Sequence, residues 1–180
     1  LQNTPVFAGS AGLSNYGSSS TGIGQALANL SLNNISGTGD QATLDLIQSE
    51  GSTYGQFGYN IPVGAQGWKV GLLGSYLTYK TLSSWSNIPT EGTGSTLGAY
   101  TSYALQRSQI ANSNLRFGLD TRSYNNQQAG ATISDYRVTA FSAGLNGNWA
   151  NTEKTVVNYG TTLVLGYLDI SNLTQAGQDT

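Results

Sequence analysis

Apolar residues recur at every second position along most of the chain, the period of strands with one apolar face. Helical spacing is hard to find. The clearest regular run lies between Trp68 and Lys80. Trp68, Val70, Leu72, Gly74, Tyr76 and Thr78 take one side, and Lys69, Gly71, Leu73, Ser75, Leu77 and Tyr79 the other. Shorter alternations occur at Ala42, Leu44 and Leu46, at Phe57, Tyr59 and Ile61, and from Leu97 to Leu105. At Leu115, Phe117 and Leu119 the apolar row faces away from Asn114, Arg116, Gly118, Asp120 and Arg122, so an apolar row and a charged row share one strand. Segments 135–149 and 155–170 alternate over longer stretches, with Val157, Tyr159, Thr161, Leu163, Leu165 and Tyr167 in the second. With 6–14 and 23–34 these runs predict about nine strands, several of them well beyond the roughly five or six residues common in soluble proteins.

Clusters of Gly, Ser, Asn and Thr separate the runs and read as turns. Segments 35–40, 62–67 and 107–112 read as compact turns. Segments 15–22, 81–94 and 124–134 read as longer polar loops. Short turns at one end and longer loops at the other is the layout of an up-and-down transmembrane barrel, although the 49–53 link is short and departs from it.

Composition sharpens this reading. Only 9% of the 180 residues are charged, against roughly 25% in an ordinary soluble domain, while Gly reaches 24 and Tyr 11. Seven Lys and Arg against nine Asp and Glu give a net charge of −2, with no basic footprint for nucleic acid. With no Cys and no His, disulfides, thiolate chemistry and the commonest general base and metal ligand are all missing. The Gly-rich segments lack the Gly-Lys-Ser/Thr ending that cradles phosphate, and Asp40, Asp45, Asp120, Asp135 and Asp169 are scattered over different strands and turns. The expectation is therefore no catalytic residue, no metal and no cofactor. No apolar run approaches the roughly 20 residues of a spanning helix. The start, Leu1-Gln2-Asn3-Thr4-Pro5, lacks Met and any basic-then-apolar leader, which reads as an internal stretch of a longer, processed chain.

In hydrocarbon every backbone amide must pair within the protein, and a closed antiparallel barrel does this with about 9–11 residues per tilted strand. Charge is costly at the bilayer midplane, so Lys69, Arg116, Asp120 and Arg122 are the candidates to line a watery lumen. Trp68, Tyr76, Tyr159 and Tyr167 are the candidates for aromatic belts at the two headgroup levels. An open sheet of nine strands would leave two rows of unpaired amides, so the remaining strands must come from sequence outside this chain or from other subunits. A soluble sandwich, a secreted β-rich adhesin or fibre subunit, and a general porin or small-solute channel are the competing readings.

Four short signatures follow one another in order. The first two are Asn15-Tyr16-Gly17-Ser18 with Thr21-Gly22, and Asn33-Asn34 with Gly37 and Gly39-Asp40. The next two are Tyr59-Asn60-Ile61-Pro62-Val63-Gly64 with Gly67, and Leu105-Gln106-Arg107-Ser108. This series resembles the first half of the barrel in the outer-membrane transporters of two-partner secretion, the hemolysin secretion/activation family. The resemblance implies a sixteen-stranded barrel, preceded by two small periplasmic domains that are not present here. It makes residues 1–180 the N-terminal, incomplete half of the barrel domain in a Gram-negative outer membrane. It also implies export of one large, unfolded secreted partner protein, and places Gly37, Gly39, Asp40, Pro62, Gly64, Gly67 and Arg107 at periplasmic turns. The family's Val-Arg-Gly-Tyr/Phe lumenal motif falls outside this stretch, so Arg107 is not that arginine.

Overall fold

The computed structural model describes residues 5–84, 86–150 and 155–170. The described residues contain nine strands: β1 (Phe7–Ser14), β2 (Gln25–Asn33), β3 (Gln41–Ser49), β4 (Ser52–Val63), β5 (Trp68–Lys80), β6 (Thr90–Arg107), β7 (Ala111–Gln128), β8 (Ala131–Ala150) and β9 (Val156–Asp169). They form a single antiparallel sheet in sequence order, each strand paired with the next. A sandwich would need two stacked sheets, and here there is one. The all-β, up-and-down reading holds, and the thirteen-residue run from Trp68 to Lys80 is a strand with those same ends.

The polar loops come out differently. Segment 124–134 is not a loop: β7 and β8 pair up to Gln128 and Ala131, joined by Ala129 and Gly130 alone. Both residues sit at positive φ, 50° and 80°, the backbone that a two-residue hairpin turn requires. Likewise β6 begins at Thr90, which shortens the 81–94 loop to 81–89. Pro62 lies inside β4 and Arg107 is the last residue of β6, so neither occupies a turn. β4 pairs with β3 only as far as Asn60, so one flank of Pro62 has no strand awaiting a donor. At this end the connections that lie wholly within the described residues are 34–40, 64–67 and 108–110. At the other they are 15–24, 50–51, 81–89 and 129–130, so long and short links do not segregate cleanly. Those far-end links are tied side by side through the backbone, Gly51 N donating to Thr21 O at 2.7 Å, Leu82 N to Ser20 O at 2.9 Å and Ala129 N to Pro89 O at 2.8 Å.

Glycine inside a strand usually weakens it, leaving nothing to pack. Here tyrosines from the directly paired positions fill the gaps. Tyr100 lies over Gly71, Tyr79 over Gly92 and Tyr159 over Gly147, and in each case a β-carbon on the glycine would collide with the ring.

The sheet lacks an ordinary core. Among the described residues the only buried hydrophobic ones are Ala111 and Ala140, while large apolar side chains stand exposed on every strand but β2. One sheet with one greasy face has to bury that face against something outside itself.

Candidate functional site

Side chains alternate faces along a strand, and the register decides which ones line up across the sheet. On the first face, Phe7 pairs with Leu32, Leu32 with Ala42, Ala42 with Tyr59 and Tyr59 with Leu72. The row continues through Ala99, Leu119 and Phe141 to Leu165. All nine strands contribute an apolar or aromatic residue and none a charge. Leu72 is 54% exposed and Leu119 57%, so this row is a surface and not an interior.

The opposite face carries hydrogen-bonding groups. Ser10 pairs with Asn29, Asn29 with Asp45, Asp45 with Gln56, Gln56 with Ser75, Ser75 with Thr96 and Thr96 with Arg122, before the row turns apolar at Val138 and Leu168. Asn29 donates to Asp45 Oδ1 at 2.5 Å. The four charged candidates all fall on this face. Lys69 and Arg116 share a row, separated by Ser102, and Arg122 Nε donates to Asp120 Oδ1 at 2.7 Å, joining the other two. Arg116 lies 3.8 Å from the centre of the Tyr100 ring, a cation against the same ring that covers Gly71. Asp45, Gln56 and Asn60 belong to this polar surface as well and are missing from the sequence-derived set. The same alternation rule marks them: Asp45 stands between Leu44 and Leu46, Asn60 between Tyr59 and Ile61, and Gln56 beside Phe57.

The four aromatic candidates are on the apolar face. Trp68 and Tyr76 are eight residues apart on β5, and Tyr159 and Tyr167 eight apart on β9. At roughly 3.3 Å per residue and a tilt of about 40°, each pair spans about 20 Å of depth, close to the ~25 Å apolar band of an outer-membrane barrel. Trp68 packs against Tyr103 with ring centres 4.7 Å apart. The Tyr159 hydroxyl bonds Ser113, so this ring lies flat over β8. Charges on the apolar face, Lys80, Glu91, Asp135, Arg137 and Asp169, come after the Tyr76 and Tyr167 level or at the far-end tips.

The 34–40 connection is the best-built turn. Asn34, Gly37 and Gly39 all take positive φ. Gly39 N donates to Asn34 Oδ1 at 2.6 Å, and Asn34 N to Asp40 O at 2.6 Å. The Asp40 carboxylate is 2% exposed and accepts from Ser36 N at 3.0 Å, Ser36 Oγ at 2.8 Å and Tyr59 Oη at 3.1 Å. Burial alone pushes this carboxyl up, yet the Ser36 and Tyr59 hydrogen bonds outweigh it and hold the group below its ordinary range. Gly64 and Gly67 sit at positive φ in the 64–67 turn, at the same end of the sheet.

The arrangement sets an apolar face against a polar one along the sheet. The family model for haemolysin secretion/activation protein ShlB/FhaC/HecB matches residues 1–171. The chain belongs to that family. It is a family of transporters, not of enzymes. Among its relatives are the heme/hemopexin transporter proteins HuxB of Haemophilus influenzae, strains 86-028NP and ATCC 51907, each 23% identical over 152 residues. The match covers 83% of this chain and 27% of each relative, so the chain spans about a quarter of their length. Two solved structures share the fold. CdiB from Escherichia coli aligns with a TM-score of 0.81 at 24% identity, over 93% of this chain and 32% of that one. CdiB from Acinetobacter baumannii aligns at 0.69 and 14%, over 90% and 31%. For a ShlB/FhaC/HecB family member the two unlike faces have a plain structural meaning: the nine strands are a wall segment of a β-barrel.

Proposed function

We propose that these residues form the N-terminal half of the barrel domain of an outer-membrane pore that exports a large secreted partner protein in an unfolded state. Membership in the ShlB/FhaC/HecB family supports this reading. The single observation that carries it is the charge-free row from Phe7 to Leu165, backed on the other face by the polar row through Asp45 and Arg122. Lipid wets the first and water the second. Lys69, Arg116, Asp120 and Arg122 line the lumen, while Trp68, Tyr76, Tyr159 and Tyr167 mark the headgroup levels. The turns at 34–40, 64–67 and 108–110 face the periplasm, and strands outside this chain close the ring. Passage needs many weak contacts and no bond making, as in other pores.

The test is a strain lacking the full-length protein. Loss of the partner from the medium, restored by the full-length gene, is the expected result. Secretion that continues unchanged while small-solute uptake falls would instead identify a general porin.

A further inference from the structure

One row on the polar side has the wrong chemistry for a wet wall. It lies one register step beyond the row of Asn29, Gln56 and Arg122, away from the compact turns. Leu27 pairs with Ile47, Ile47 with Tyr54 and Tyr54 with Leu77. Across Gly94 the row continues to Tyr124 and Tyr136. The last two rings stack with centres 5.0 Å apart. All six are half-buried, keeping part of their surface open. Lipid does not reach them, because the lipid row is on the other face.

Apolar surface held open to water forfeits the gain of burying it, so a stripe seven strands wide implies something that covers it. Its shape says what. A fixed segment would need one pit only, whereas this stripe runs on from the concavity of Leu27, Ile47 and Tyr54 in one register to β8. A chain sliding lengthwise through the pore must cross it wherever it touches the wall. An extended chain offers a side chain to one side about every 7 Å. Here it meets apolar contacts and hydrogen-bonding groups two residues apart, and the tyrosines offer both at once. We propose that the stripe is a half-collar that holds the apolar side chains of the exported polypeptide transiently as it passes. This rests on the export reading given above.

The test uses the full-length transporter in a planar bilayer and two uncharged peptides of equal length, one alternating Val and Ser, the other Gly and Ser. The expected result is current blockades several-fold longer for the Val-Ser peptide. That ratio falls to about one in Leu77→Asn and Tyr124→Ser and is retained in Tyr124→Phe. Tyr124 lies past the apolar band, so its variants keep the test open if Leu77→Asn fails to assemble. Equal blockades in the unaltered protein, or a ratio that neither variant moves, would overturn the collar. Secretion that is intact without peptide discrimination sinks the collar alone. Discrimination in a protein whose loss leaves secretion untouched sinks the export reading instead. An inserted protein that conducts no ions overturns both.

Discussion

Asp40 shows how a turn residue is held by its neighbours. Its carboxylate is shielded from water, and three donors aim at it from Ser36 and Tyr59, so the charged form is favoured despite burial. A carboxyl with a lowered folded pKa adds stability that is complete above the ordinary Asp value of about 3.9, and loses it as pH falls through the lower folded value. Amide hydrogen exchange at Ser36 is therefore expected to stay slow down to the ordinary carboxylate range and to quicken only below it. Asp40→Asn should remove that acid step, and an identical step in the variant would show the carboxylate to be idle. Of the turn candidates, Gly37, Gly39, Gly64 and Gly67 were legible because positive φ selects glycine locally. Pro62 and Arg107 were placed one or two residues outside their strands, since proline and a polar cluster mark a boundary only loosely.

At the scale of the strand, the two faces make opposite predictions for neighbouring positions at one depth. Phe57 is on the apolar face and Gln56 on the polar one, beside Asp45. Phe57→Arg should cost about 2–4 kcal/mol near mid-membrane, whereas Gln56→Arg should stay within about 0.5 kcal/mol, its charge in water beside a carboxylate. Urea titration of the full-length protein folded in lipid vesicles measures both, and equal losses would refute the facing assignment. The alternation that fixes these faces was readable because each strand is wetted by two different solvents. It fades over 124–134 for the same reason. Where a hairpin stands clear of the bilayer both sides meet water, nothing enforces a period of two, and Asn125, Asn126, Gln127 and Gln128 read as loop while pairing as strand. The apolar stripe was hidden differently. Leu77 or Ile47 alone is one exception in one strand, and only the long-range register lines the exceptions up.

For the molecule as a whole the open question is closure. β1 and β9 each have one strand partner among the described residues, so two columns of backbone groups await others. In hydrocarbon each unsatisfied group costs several kcal/mol, far more than side-chain burial on so few strands recovers. A polypeptide limited to residues 1–180 is thus expected to aggregate and not to span vesicles as a monomer, and adding the remaining strands should restore protease-resistant insertion. Stable monomeric insertion of the short chain would mean that the sheet closes on itself.

β8 has 20 residues, which at roughly 3.3 Å each and a tilt of about 40° rise about 50 Å, some twice the ~25 Å band. Most of the surplus, residues 131–138, lies past the Tyr167 level and ends in the bend at Ala129 and Gly130. In the proposed orientation, with the 34–40 end toward the periplasm, a cell carrying this protein shows its surroundings a stiff ribbon tip with little slack, one that an antibody can clasp by shape but a roaming protease finds hard to thread and cut.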